Sequence, residues 1–439
     1  MLSFPVFSPA VERGGIVTKS QPLKELPGFR KVQKTGVIYV MGAAVERGFH
    51  YGHPDWTNLG QGAPETGALP GSPARLEEVP VAPETLEYAP VGGYKPLRQA
   101  VADLYNARYR VGMKSKYTYE NVAIAPGGRA SLTRVAAVLG NVNLGHFLPD
   151  YTAYEELLDI FRAFVAIPIL IPASEGFMAN AKEIRNEIVG KGLGALLLSN
   201  PCNPTGQMIR EGALGEWVSA AREFECALIL DEFYSHYLYG EARVQQPTLS
   251  AAAYIENVNR DPLILLDGLT KNWRYPGLRI AWTLGPKSVI EKVISAGSFL
   301  DGGACHAVQK RVVPLLDRSI ADGEAAAIQK HFSQKRNLMI QSIRDMGFVL
   351  PRDPEGTFYC FASLENLPTS LQDGMDFFKK ALEKNVITVP GVFFDVNPGH
   401  RRNNKASRLR HFVRLSFGPS MDSIQLGLKR LAELIEEEK

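Results

Sequence analysis

The stretch LILLDGLTKNWRYPGLR, Leu263 to Arg279, carries the reading on which the fold turns. Four consecutive aliphatic residues leave no polar face, so a strand built from them is covered on both sides. Polar residues follow at once, and Lys271 stands in front of a Pro-Gly turn. A lysine in that place is either the solvated start of a loop or an amine held at the mouth of a sheet for chemistry.

Three further runs have the same character: NVAIA (121–125), ALLLSN (195–200) and CALILD (226–231), each bounded by turn residues. Helix-like segments lie between them, namely ASLTRVAAVLG, YEELLDIFRAF and GALGEWVSAAREF, the last with Leu214, Trp217, Val218 and Ala221 at helical spacing. Upstream, YAPVGGY is turn-like, and PLRQAVADLYNARY places Leu97, Val101, Leu104 and Tyr105 on one face, with Pro96 suited to a first helical turn. Continuous apolar strands alternating with helices predict an α/β fold, a mostly parallel sheet with helices on both faces.

Beyond roughly residue 300 the rhythm turns helix-rich from His306 to Met346, then mixed through FYCFASL and VITVPG, and closes on the helix DSIQLGLKRLAELIEEE. The expected organisation is an N-terminal arm (1–57), a large domain (58–300) and a smaller α+β domain (301–439) into which the arm also packs. His306 reads as a helix-start residue.

The 439 residues carry 49 basic and 46 acidic side chains, a net charge of +3 that gives no push toward nucleic acid or anionic membrane. Small molecules or a second copy of the chain are the expected partners. Cys202, Cys226, Cys305 and Cys360 are far apart and form no CxxC or Cys/His cluster, which argues against zinc and against a disulfide framework. The N-terminal residues have prolines in their apolar run and no basic lead, and no run approaches the roughly 20 residues of a membrane span, so a cytoplasmic protein without a metal is expected.

In open α/β sheets ligands bind outside the carboxyl ends of the strands, and polar groups sit just past four apolar runs. After NVAIA comes PGGRAS, either an ordinary strand-to-helix turn or an anion cup made by backbone N–H groups and a helix dipole. After ALLLS comes NPCNPTG, in which two prolines fix the backbone around Asn203 and leave its amide free to donate. After CALIL comes DEFY, where Asp231 is costly to bury without a cation or strong donors, and where a helix N-cap or salt bridge is the rival reading. After LILLD come Thr270, Lys271 and, eight residues past the lysine, Arg279. A lysine amine, a carboxylate, an anion cup and an arginine are together the parts of a pyridoxal phosphate (PLP) site: Schiff-base amine, pyridinium partner and phosphate grip.

With these motifs in order, the chain resembles the fold-type I, class I/II aminotransferases of the aspartate aminotransferase-like superfamily from about Asn58 onward. NPCNPTG, LDEFY and LTKNWRYPGLR are the specific matches; NLGQGAPETG, YAPVGGYKPLR, IAPGGRASL, PDYTAY, PEGTFY, VPGVFF and VRLSF support them. The resemblance implies a seven-stranded-type sheet in the large domain and a homodimer with shared active sites. It implies that Lys271 forms the Schiff base and carries the proton, that Asp231 pairs with the ring nitrogen, and that Asn203 and Tyr234 bond the ring hydroxyl. Tyr151 would stack on the ring, unless it is simple core packing. Gly127, Gly128 and Arg129 would hold the phosphate through their backbone, so that the Arg129 side chain need not matter, and Arg279 would bind it directly. Arg414 would take the substrate carboxylate, with Gly62 on its other side. Tyr88 would reach the neighbouring subunit's phosphate, or else pack locally before a helix.

Two positions depart from the family pattern. Gly268 stands where a phosphate-binding serine is usual, leaving Thr270 as the nearby hydroxyl, and Pro126 precedes the cup. The basic segment NPGHRRNNKASRLRHF reads as a solvated loop or, through Arg401, Arg402 or Arg408, as a greeting for an acidic substrate. Trp273 and Arg274 have no role assigned by this reading. The resemblance implies transamination between an L-amino acid and a 2-oxo acid. A PLP lyase or cyclase resembling aminocyclopropane-carboxylate synthase, an amino acid oxidase, and a DNA-binding regulator built on the same fold stand as alternatives; the last lacks a compact helical domain ahead of Asn58.

Overall fold

The computed structural model describes residues 36–161, 163–240 and 247–439. Most of the expected N-terminal arm, residues 1–35, lies outside the described residues. The arm's last part forms helix α1 (Gly36–Val45).

Seven strands form the central sheet: β1 (Val122–Ala125), β2 (Asn143–Leu148), β3 (Val165–Leu170), β4 (Leu193–Ser199), β5 (Ala227–Asp231), β6 (Leu263–Gly268) and β7 (Ala281–Leu284), in the order β1-β7-β6-β5-β4-β2-β3. All neighbours are parallel except at β7, which runs against both β6 and β1. Because β7 reverses direction twice over, β1 still points the same way as β6. The carboxyl ends of β1, β4, β5 and β6 therefore open on one edge.

Side-chain alternation explains the unbroken apolar runs. Ile229, Ile264 and Leu266 join one core, while Leu228, Leu230, Leu263 and Leu265 join the core on the opposite face. Helix α2 (Lys95–Tyr109, proline in its first turn) precedes β1 in the chain, and α3 (Gly128–Val138) starts just after it.

Two elements differ from their expectations. The helix reading of YEELLDIFRAF holds only for Tyr154–Ile160, because Phe164 turns into the core and β3 follows. The helix-rich segment from His306 is cut at Val313–Leu316, where Pro314 cannot supply an N–H. A long helix, α9, resumes at Arg318–Asp345; the helices 154–160, 181–191, 211–223, 287–300 and 306–312 lie between it and α3. Toward the C-terminus an antiparallel sheet of β8 (Tyr359–Ser363), β9 (Val389–Pro390) and β10 (Phe412–Ser416) places Arg414 opposite Phe361 and Val389. Among the described residues no helix is long and apolar enough to cross a membrane.

Candidate active site

A cleft of about 440 Å³ opens at the strand ends and is lined by Gly62, Gly128, Arg129, Tyr151, Asn203, Asp231, Tyr234, Thr270, Lys271, Arg279 and Arg414. Sequence spacing alone scatters these residues over 350 positions; the shared carboxyl edge gathers them. Tyr88 is apart from the cleft and 94% exposed.

The turn after β1 is shaped by close approach. Gly127 has φ +97°, and a Cβ there would fall 1.9 Å from an Arg279 terminal nitrogen; one on Gly128 would fall 2.5 Å from the Phe233 ring. The Pro276-Gly277 turn returns the chain so that Arg279, itself at φ +52°, lays its guanidinium against Gly127 while donating 2.9 Å to the Pro276 carbonyl. Gly268 has a packing reason: a Cβ would lie 2.6 Å from the Ala281 Cα and 2.7 Å from the Ile280 carbonyl, so a serine does not fit. The Thr270 hydroxyl is buried beside this cup without a protein partner.

Asp231 accepts from the Tyr154 hydroxyl at 3.1 Å and from the Phe233 N–H at 3.4 Å. Burial pushes its carboxyl up to about 6 against the pull of those donors and of Lys271. The Lys271 amine donates to the Gly62 carbonyl. Burial, then the nearby Arg414, Arg279 and Arg129, bring it down to about 7 against the pull of Asp231.

Arg414 is buried on β10 between the rings of Tyr359 and Phe394, 4.1 and 5.0 Å from their centroids. It donates to the Asn203 side-chain oxygen at 2.9 Å and to the Gly60 carbonyl at 2.8 Å, while its Nε has no protein partner. Because the Asn203 oxygen is taken, its amide is the end left to donate. The Tyr234 and Tyr359 hydroxyls meet at 3.0 Å.

The Arg129 side chain, which backbone binding alone would leave idle, lines the cleft and reaches the Tyr151 hydroxyl at 3.4 Å through Nε and Nη2. Tyr154, Tyr359 and Val37 are site residues that the sequence reading did not single out. The first two sit inside motifs already quoted, PDYTAY and PEGTFY, so the signal was present without a direction for the side chain. Arg402 is engaged elsewhere, paired with Asp395 at 2.6 Å, and Arg408 borders a separate pocket.

The sequence profile of aminotransferase class I and II matches residues 54–431. The chain belongs to that family. It is a PLP-dependent aminotransferase acting on amino acid and 2-oxo acid substrates. Similar relatives include an aspartate aminotransferase of Sulfurisphaera tokodaii, 25% identical over 93% of this chain and 92% of its own, and a probable N-succinyldiaminopimelate aminotransferase of Mycobacterium tuberculosis, 27% identical over 86% and 92%. The fold matches that of an aspartate aminotransferase from Thermus thermophilus with maleate, with a TM-score of 0.73 at 21% identity over 92% of this chain and all of that one.

The aminotransferase's cleft fits the cofactor on its own geometry: a glycine cup that a Cβ would fill, a guanidinium against it, an orphaned threonine hydroxyl, and a carboxylate and an amine on adjacent strand ends. Gly127→Ala is expected to raise the Kd for PLP roughly 10- to 100-fold, the loss of one charge-assisted hydrogen bond of about 1.5–3 kcal/mol. Titration of the apoenzyme by visible absorbance measures it, and an unchanged Kd would remove the cup from the site.

Proposed function

We propose that this aminotransferase moves the amino group of an acidic L-amino acid to a 2-oxo acid at Lys271, in two half-reactions with ping-pong kinetics. The observation that carries the substrate class is the charge of the cleft: among its described lining residues, Arg129, Lys271, Arg279 and Arg414 face a single acid, Asp231.

Bound PLP supplies an aldehyde for the incoming amine and a ring that takes up the electron pair released at Cα. The remaining work falls to the chain. Asp231, raised by burial yet held by Tyr154 and a backbone N–H, sits to keep the ring nitrogen protonated. Asn203 and Tyr234 would donate to the ring hydroxyl, and Tyr151 would cover the ring. Lys271, with a pKa about 7, holds a substantial fraction of free amine near neutrality and so can take a proton from Cα and return it. Gly127, Gly128, Thr270 and Arg279 would hold the phosphate dianion. Arg414 takes the α-carboxylate beside Gly62.

That division leaves Arg129 as the cation without an anion, at the outer end of Tyr151. A second carboxylate on the donor side chain is the group that matches it. Aspartate and glutamate are expected to exceed alanine in kcat/KM, and Arg129→Gln to lower the acidic donors roughly 10- to 100-fold, about 1.5–3 kcal/mol, with alanine nearly unchanged. An equal fall for all donors, or weaker PLP binding, would assign Arg129 to the phosphate instead.

The reaction class has its own test. Without an acceptor, holoenzyme should release one 2-oxo acid per site and stop; sustained release of ammonia, a ring product or oxygen uptake would favour the lyase or oxidase reading.

The exposed Tyr88, with Leu86 and Val81 also exposed nearby, supports a homodimer in which Tyr88 reaches across to the other subunit's phosphate. Sedimentation at micromolar concentration decides between dimer and monomer.

A further inference from the structure

Arg274 is fully buried three residues past Lys271, and it takes a left-handed backbone, φ +56°. Its Nε donates to a Glu324 carboxylate oxygen on α9 at 2.7 Å, and Nη1 donates to the carbonyls of Glu65 and Gly67 at 3.0 and 2.6 Å. Arg75 closes the same knot from the other side. It donates to the carbonyls of Trp273 and Arg274 at 3.0 and 2.9 Å, shares the Glu324 oxygen at 3.2 Å, and lies 3.6 Å over the Tyr275 ring.

The segment held between these arginines begins at the cleft. Gly60 gives its carbonyl to Arg414, and Gly62 gives its carbonyl to the Lys271 amine. Farther along, the Glu65 carboxylate is held by Lys335 and lies 3.2 Å from His331, and its N–H donates to the Gly418 carbonyl. Residues 60–76 thus form a strap that touches the reactive amine at one end and is fastened to that amine's own turn at the other.

We infer that Arg274 and Arg75, joined on Glu324, are positioning residues that set the strap against the Lys271 turn and so fix where the lysine amine stands. Two guanidiniums on one carboxylate, with peptide carbonyls as the other acceptors, fix both backbones in planar, directional contacts that a point-charge ammonium does not reproduce. Trp273 serves the same turn, buried with its indole N–H donating to the Leu315 carbonyl. The inference rests on Lys271 being the reactive lysine. If Lys271→Ala kept wild-type activity that reading would fail first, and separately.

The test is Arg274→Lys and Arg75→Gln in PLP-loaded enzyme, each checked for wild-type circular dichroism. The readouts are kcat, KM and the pH midpoint of the visible absorbance change. The charged groups facing the Lys271 amine are Arg414, Arg279, Arg129 and Asp231, so Arg274→Lys, which conserves charge, can move the midpoint only through position. Expected are a kcat lowered roughly 10- to 100-fold for Arg274→Lys, the scale of an ångström-sized misplacement, less for Arg75→Gln, and a displaced midpoint in both. A folded variant with lowered kcat and an unmoved midpoint, or with neither changed, overturns the proposal. Should Arg274→Lys fail to fold, Arg75→Lys, which conserves charge at the more exposed edge of the knot, decides on the same readouts.

Discussion

Lys271→Ala is expected to lower kcat for transamination roughly 10⁴-fold, the upper end of what a positioned proton-transfer group supplies, because the same amine also anchors the cofactor. The reason lies in its surroundings. Among the described residues, Lys271 is the only lysine that lines the cleft. Burial and three flanking arginines bring it down to about 7. An ordinary lysine, near 10.4, would be a free base in roughly one molecule per thousand at pH 7.4. The measurement is steady-state kcat together with the visible absorbance of the reconstituted variant. Retention of more than a hundredth of the activity, with the lysine-dependent absorbance intact, would mean that another residue does this work.

Arg414→Lys is expected to lower kcat/KM for the amino acid roughly 10²- to 10³-fold, mostly through KM, with PLP affinity unchanged. Truncating one side of a buried, hydrogen-bonded charge pair costs about 2–5 kcal/mol. Arg414 has five N–H donors and gives one each to Asn203 and Gly60, leaving an unpartnered Nε among those free for a carboxylate. A lysine ammonium at the same place has three donors on one atom and cannot serve Asn203, Gly60 and a bidentate carboxylate together. If PLP affinity falls instead, while the amino acid KM stays, Arg414 belongs to the cofactor and the substrate carboxylate has another partner.

The strands that carry the chemistry were legible because burial on both faces leaves a mark in one dimension. LILLD, CALILD and ALLLSN each end in a polar residue; β5 stops on Asp231, β6 runs one residue past Asp267 to Gly268, and β4 stops at Ser199, one residue before Asn200. Three strands were missed: β2, whose NLGHFL is interrupted by a glycine and a histidine; β7, whose AWTL is short and carries a threonine; and β3, whose VAIPIL contains a proline next to an expected helix, tolerated because β3 is an edge strand. Lys271, Asp231, Asn203, Arg279 and Arg414 were each named from motifs, and all five line one cleft.

Gly268 marks the boundary between the two kinds of knowledge. Its sequence shows only that a serine is missing, whereas the Ala281 backbone pressed against it shows why. The same holds for Arg129, whose place in a glycine-rich turn says nothing about where its guanidinium points, and for Arg274, whose partners lie at positions 65, 67 and 324.

By itself the sequence determined the strand-and-helix alternation, because hydrophobic periodicity is local along the chain, and its strand-end motifs carried the resemblance that implied the family, the cofactor and Lys271 as the Schiff-base lysine. Only the tertiary structure decided which carbonyl the lysine amine meets, where the Arg129 guanidinium points, and what fastens the strap beside the Lys271 turn. Those depend on distances between residues up to 354 positions apart, and side-chain direction at such separations is set by packing rather than by neighbours in sequence.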